Sequence, residues 1–487
     1  MITRREAMMG VLGGMTIGLP TVRAVAAASD SKPRAIVSGP VQGGAHGWAF
    51  GGTPRSLDEL GYVEREYFIS GTATRFRAVG ETGADGRWSI EPNGQAPFKT
   101  RFLVRTPKDA GKFNGTVIVC WNNVTAGYDI AQDTRGAFDG FAFVAVSAQA
   151  AAIEGFARDP HGLKSWDPQR YGDLSIPGDA YSYDVLTQVA RAVGPDRSKS
   201  KVDPLGGLQV KRLIATGGSQ SAGRLTTYIN AVHPRERVFD AFMPTISFGR
   251  AAGIDANAII DSSMLDKMKP EEVRAMSTGN VRIRDDLSTP VMIVNSETET
   301  LFYLPSVQPD TDTFRYWEVA GASHAPGPLL AVAAEVMKRD GMQRPVGTMA
   351  GVPSQVDWTL AFDAALHHVQ RWLTEGKAPP VQPRIEVFGS PPRIARDRFG
   401  NAVGGVRLPD LEVPTASYFS EMAQIGMAGL TGTTTPLSPE LVKSLYPTRD
   451  AYVAKIQAAA DKAVKAGVLL PRDAQAYVAA ARDRPFA

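Results

Sequence analysis

Residues 211–224 read KRLIATGGSQSAGR, and the way this stretch changes character decides how the rest of the chain is laid out. Lys211 to Thr216 form a β-type run, two glycines follow, and from Ser219 onward apolar residues recur at helical spacing through Asn230. A strand that becomes a helix within so few residues must pass through a sharp turn, and only small side chains fit beside a backbone that crowded. Strand followed directly by helix is also the unit of a parallel sheet, so further strands are expected on both sides. Downstream these are Phe239–Met243, Pro290–Val294 and Phe314–Val319. Upstream they are Thr116–Trp121 and Phe141–Val146, both continuously apolar as strands buried on two faces are, and a hairpin from Val63–Phe76 and Lys99–Arg105. The expectation is an α/β fold with an eight-stranded, mainly parallel sheet flanked by helices.

Composition agrees with one large decorated core. In 487 residues, 43% are hydrophobic and 21% charged, which permits a sizeable core and excludes disordered or membrane classes. The net charge of +3 arises from 53 basic and 50 acidic residues spread along the chain, so no basic block points to nucleic acid. The lone Cys120 lies in an apolar strand and reads as a core residue, with no intramolecular disulfide to form. Residues 1–28 are read as a removable leader: Arg4 and Arg5, an apolar run from Met8 to Leu19, then Arg23 and the small residues Ala24 to Ala28. The stretch TRREA (3–7) resembles a twin-arginine export signal, although Ala7 and Met8 replace the usual bulky residues, so a periplasmic or secreted bacterial protein is expected. No later stretch is apolar and long enough for a stable membrane span.

Domain boundaries follow from breaks in the pattern. A catalytic domain is expected over residues 29–375, ending after a helix at Gln355–Thr374 where EGKAPPVQP (375–383) brings three prolines. Within it, residues 247–289 are too long for a turn between strands and would cover the C-terminal edge of the sheet as a lid-like insertion. Its apolar residues Ile254, Ile259, Ile260, Met264, Leu265 and Met268 either line an acyl pocket or pack the segment on the core. Residues 376–487 form a C-terminal extension ending in helices near Asp450–Lys465 and Pro471–Ala481, assigned to packing.

The chemistry starts at Ser219. A hydroxyl attacks a carbonyl when a base takes its proton, a third group orients that base and backbone donors receive the oxyanion. Gly217-Gly218-Ser219-Gln220-Ser221 departs from GxSxG only at its last position, where serine is still small; the shifted register, with Ser221 as nucleophile, pushes the hydroxyl into the helix. A serine on a strand-to-helix turn resembles the nucleophile elbow of the α/β-hydrolase superfamily, in which the acid and then the histidine follow along the chain. Of six histidines, His324 in EVAGASHAPG (318–327) follows the eighth strand and is the expected general base. The acid is sought after the seventh strand, in NSETET (295–300), where Glu299 is preferred and Glu297 is the alternative. The expected oxyanion donors are the N–H of Gln220 and an N–H of Asn122 or Asn123 in the loop WNNVTAGYD (121–129). His367 and His368 adjoin within a helix and point to different faces, which argues against a zinc site; no metal or cofactor is expected.

The chain also resembles a narrower bacterial group of alpha/beta hydrolase domain proteins. The resemblance is carried by YVEREYFISGTA (62–73), WNNVT (121–125), WDPQRYG (166–172), GSQSAGRL (218–225) and DRFGNAVGGVRLP (397–409). It implies acyl hydrolysis without a cofactor and names no substrate. The expected function is therefore an exported carboxylic ester hydrolase working through an acyl-enzyme on a small or polymeric ester. An amidase or peptidase would use the same residues, because the triad does not encode the leaving group, and a secreted binding protein could keep the fold without the chemistry. Oligomeric state is not written in these motifs.

Overall fold

A computed structural model describes residues 35–483, apart from 133, 157–159, 200, 256–278, 343–348, 350 and 423–425. Nine strands form one sheet: β1 (Ile36–Ser38), β2 (Tyr62–Ala78), β3 (Ile90–Pro107), β4 (Thr116–Trp121), β5 (Ala142–Val146), β6 (Arg212–Gly218), β7 (Ala241–Thr245), β8 (Val291–Ser296) and β9 (Phe314–Val319). Their spatial order is β1-β2-β3-β5-β4-β6-β7-β8-β9. The first three strands and the β3–β5 junction pair antiparallel, and every pair from β5 to β9 is parallel. The expected count of eight is corrected to nine. The added strand is a three-residue edge pairing with Phe68–Ser70, too short to show a period in the sequence.

The central strands are apolar throughout because each face of the sheet meets its own core. In β4, Val117, Val119 and Trp121 join the cluster beneath helices α1 (Ser182–Val193) and α2 (Gln220–Thr227), while Ile118 and Cys120 point the opposite way. That second face is covered by α3 (Trp358–Glu375), which contributes Trp358, Ala361, Phe362 and Ala365. Alternation along one strand thus serves two layers. Helix α3 starts at Trp358, with the Asp357 side chain accepting from the Thr359 N–H, and stops at Gly376 in the left-handed conformation.

The β2–β3 hairpin runs far beyond the strands it joins. Only Phe102–Arg105 of β3 pair with β5, so the outer part of the hairpin leaves the sheet as a two-stranded ribbon. Its Thr74 N–H donates to Asp184 of α1, and its tip docks beside residues 282–285: Arg282 N–H to Ala84 O at 2.9 Å and Arg284 Nη1 to Trp88 O at 3.2 Å. Gly86 sits at φ 74°, and a Cβ there would lie 2.3 Å from Arg282 O, so glycine is required.

Those residues belong to the segment 247–289. Its flanks are stitched together by the Arg250–Asn280 bridge and sit on the elbow helix, with Ala252 N–H donating to Gly223 O. Ile254, Val281 and Ile283 are buried with the core of the first face, so Ile254 packs the segment. Ile259, Ile260, Met264, Leu265 and Met268 lie outside the described residues, as does the leader-like stretch 1–28. No helix among the described residues is long and apolar enough to cross a membrane.

The C-terminal helices α4 (Arg449–Lys465) and α5 (Pro471–Asp483) reach the second face through Ala460, Ala463 and Ala474. Arg472 of α5 meets Asp139 and, at 3.2 Å, Asp363 of α3. Burial pushes the Asp363 carboxyl up to about 7, against the charge of Arg472 and the hydrogen bond from the Gly136 N–H. An unfolded Asp ionises near pH ~3.9, so between that pH and about 7 the folded chain holds a proton that the unfolded chain releases. The contribution is complete below the unfolded value and is lost as pH rises through the folded one. Replacement Asp363→Asn removes this titration, so Tm of the wild type should fall more between pH 5 and 7.5 than Tm of the variant. Equal changes in thermal melts would refute the assignment.

Candidate active site

The turn between β6 and α2 is held in an unusual conformation. Ser219 has φ 60° and ψ −118°, outside the regions that a side chain prefers. Three features fix it there. Its N–H donates to Thr245 O at the end of β7. A Cβ at Gly218 would lie 2.6 Å from Gln132 Oε1 and 2.9 Å from Thr245 Oγ1, and one at Gly217 would crowd Ser221 and Leu225, which explains the two glycines. Ser221, the departure from GxSxG, is fully buried and donates to Asn122 O at 3.1 Å, tying the helix start to the loop after β4.

The other two groups arrive from the ends of β8 and β9. His324 Nε2 lies 3.0 Å from Ser219 Oγ, and His324 Nδ1 lies 2.7 Å from Glu299 Oε1. The orientation of Glu299 has a local cause. Ser296-Glu297-Thr298-Glu299 has the S-x-x-E pattern of a capping box, and Glu299 Oε2 reaches back to the Ser296 N–H at 2.8 Å and its Oγ at 2.7 Å. One carboxylate oxygen is thereby spent on its own turn, leaving the other for the imidazole. The backbone of His324 is held as well, its N–H donating to Thr298 Oγ1 at 3.0 Å. Phe248 stacks on the imidazole with centroids 5.2 Å apart, and Phe302 meets Phe248 edge-on.

Glu297, the alternative acid, faces away from the histidine. It is fully buried and accepts from the Gly321 N–H at 2.7 Å, the Ser420 N–H at 3.1 Å and Arg396 Nη1 at 2.6 Å. Burial pushes its carboxyl above the ordinary range; Arg396 and the two N–H groups oppose this. Arg396, Ser420 and Thr298 were not singled out by the sequence, although Arg396 directly precedes DRFGNAVGGVRLP (397–409).

The loop after β4 calls for a correction. The Asn122 N–H donates to Val146 O at 3.2 Å and the Asn123 N–H to Ile130 O at 2.9 Å, so neither is free to receive an oxyanion. Asn122 prolongs the pairing with β5, and Asn123 closes the loop through its bridge to Ile130. The Asn123 amide instead donates to Gly218 O at 3.1 Å, beside the elbow. Among the described residues the next N–H, that of Val124, meets no acceptor. Gln220 opens α2, where N–H groups lack partners within the helix, and its side chain donates to Gln149 Oε1 at 3.1 Å. Gln149 in turn donates to Asp179, the partner of the buried Arg224. The far end of the loop is pinned by Arg101, which meets Asp129 at 2.8 Å and Glu66 at 3.2 Å in the interior.

Other histidines have separate partners: His233 with Thr289 Oγ1, His367 with Asp139, and His368 with Gly467 O. Burial lowers His233 to about 4, keeping it neutral. Among the described residues no group of three His, Cys, Asp or Glu side chains is arranged to hold a metal ion.

The sequence model of the alpha/beta hydrolase domain family matches residues 37–479. The chain belongs to that family. Solved structures similar to this family member include the glucuronoyl esterase from Solibacter usitatus, at 10% identity over 59% of this chain and 81% of that one, with a TM-score of 0.26. Acetyl xylan esterase 1 from Thermoanaerobacterium sp. JW/SL YS485 matches at 12% identity over 50% and 80%, with a TM-score of 0.25. A prolyl endopeptidase matches at 11% identity and a TM-score of 0.26 over 59% of this chain, which spans 45% of that structure's length. A search of curated proteins finds no match.

In this alpha/beta hydrolase domain protein the two serines of the elbow have different surroundings. Ser219→Ala should abolish labelling by a fluorophosphonate. Ser221→Ala should retain labelling while losing about 1 kcal/mol of stability, the usual worth of one hydrogen bond. Intact-protein mass spectrometry and denaturant melts check both; labelling that survives in Ser219→Ala and vanishes in Ser221→Ala would reverse the assignment.

Proposed function

We propose that the protein is a serine hydrolase that cleaves carboxylic esters through an acyl-enzyme. The observation that carries this reading is the continuous chain Ser219 Oγ, His324 and Glu299, with links of 3.0 and 2.7 Å. Ser219 Oγ attacks the acyl carbon while its proton passes to His324 Nε2, and the carbonyl π pair moves onto oxygen. Glu299 keeps Nδ1 protonated, so that Nε2 is the nitrogen that accepts, and it stabilises the imidazolium that forms. Collapse of the tetrahedral intermediate breaks the bond to the alcohol oxygen, which leaves with the proton from Nε2. Water then repeats the sequence on the acyl-enzyme, with His324 as its base.

The Gln220 N–H, at the positive end of α2, supports a role as one oxyanion donor. For the second we propose the Val124 N–H, because both preceding amides are already committed. The aromatic pair Phe248 and Phe302 forms the apolar wall beside the imidazole and is proposed as the side that meets the acyl group. We also propose that this activity is exercised outside the cytoplasm, a reading supported by the leader-like composition of residues 1–28.

The test pairs an ester with an amide of the same acyl group. Measurable turnover of the ester, with kcat at least ~10³-fold lower in Ser219→Ala and at least ~100-fold lower in Glu299→Gln, is the expected result. Turnover that survives in Ser219→Ala would remove the reading. Faster turnover of the amide would turn it towards an amidase.

A further inference from the structure

Glu297, Thr298 and Glu299 are consecutive, yet they face two ways. Glu299 serves the histidine, and its two predecessors serve the segment beyond residue 383. Glu297 receives the Gly321 N–H from the turn that leads to His324, and from the C-terminal segment it receives Arg396 Nη1 and the Ser420 N–H. Thr298 Oγ1 accepts from the His324 N–H and donates to Ser420 O at 3.0 Å. Ser420 Oγ closes the ring on Gly321 O at 2.9 Å. Each backbone strand that sets the distance between imidazole and carboxylate is therefore bonded to the C-terminal segment.

The loop carrying Arg396 is itself fixed. Asp397 accepts from the Phe399 and Asn401 N–H groups, and Val406 bonds to β9 on both sides, from its N–H to Glu318 O and from the Ala320 N–H to its O. The Arg396 guanidinium also meets Glu421 at 3.3 Å and lies 4.6 Å from the centre of the Phe419 ring. A buried carboxylate needs a counter-charge, and a bond of 2.6 Å to a held guanidinium supplies it in one geometry.

We propose that Arg396 is a positioning residue for the hydrolytic site. Acting through Glu297, it sets the Gly321–His324 turn against the Glu299 carboxylate, so the C-terminal segment is part of the working site. This rests on the roles given above to Ser219, His324 and Glu299. A group that places the base without touching substrate affects kcat and leaves KM nearly alone.

The test measures kcat, KM and Tm on a small activated ester for Arg396→Met, Arg396→Lys, Glu297→Gln and Arg472→Met. The last variant breaks the docking of α5 through Asp139 and Asp363 and controls for general loosening of the extension. Arg396→Met should lower kcat at least about tenfold with KM within about threefold, and Arg396→Lys, which keeps the charge, should recover part of the loss. Arg472→Met should lower Tm with kcat within about twofold. Should Arg396→Met fail to fold, Glu297→Gln keeps the side-chain shape and should show the same loss confined to kcat. A folded Arg396→Met or Glu297→Gln with wild-type kcat overturns the proposal, as does a loss of kcat in Arg472→Met equal to that in Arg396→Met. Activity persisting in Ser219→Ala would instead overturn the reading of the site itself.

Discussion

A serine held at φ 60° and ψ −118° is the constraint on which the rest of the site depends. Such a backbone costs on the order of 1–3 kcal/mol and persists only where its surroundings leave no alternative. Here a buried strand feeds the turn, β7 binds its N–H, and two positions without side chains admit Gln132, Thr245 and the elbow helix. The return for this strain is position. The hydroxyl stands beside the start of a helix and within hydrogen-bond reach of the imidazole that follows a strand three places away in the sheet order.

Much of this was legible in the sequence because strand interiors and strand ends obey simple rules. Strands buried on both faces read as apolar runs, and Ser219, Glu299 and His324 each lie in the turn that follows one, so their convergence needs only parallel strands in sequential order. What the sequence concealed has equally physical causes. Ile36–Ser38 is too short to show a period, and the amides of Asn122 and Asn123 are consumed by β5 and Ile130, which no side-chain type reveals. Arg396 and Glu297 are 99 residues apart, and an ion pair over that distance leaves no spacing to read. The one trace was the adjoining glycine-rich motif, whose purpose shows only when Val406 is seen beside β9.

Buried charge recurs around the site. Arg101 with Glu66 and Asp129, Arg224 with Asp179, and Arg396 with Glu297 each fix a loop or turn near the Ser219, His324 and Glu299 cluster. Removing such groups from water is expensive, and apolar side chains of similar volume would often stabilise as well or better. Their value lies in direction. A guanidinium and a carboxylate accept one another in few geometries, so each pair determines where a loop stands as well as that it is buried.

The long β2–β3 hairpin bears on how far this scaffold is modular. Its tip shares a backbone bond with Arg282, and Arg87 pairs with Asp285, while Arg284 and, just beyond the elbow helix, Asn230 join the same contact. A segment bounded by two strands looks like a separable cassette, yet cutting at 247 and 289 would remove half of an interface whose other half lies 198 residues earlier, at Arg87. The physical unit is the segment 282–285 together with the hairpin tip. A chimaera in which only residues 247–289 of this chain were exchanged would leave the carbonyls of Trp88 and Ala84 without the donors they meet here.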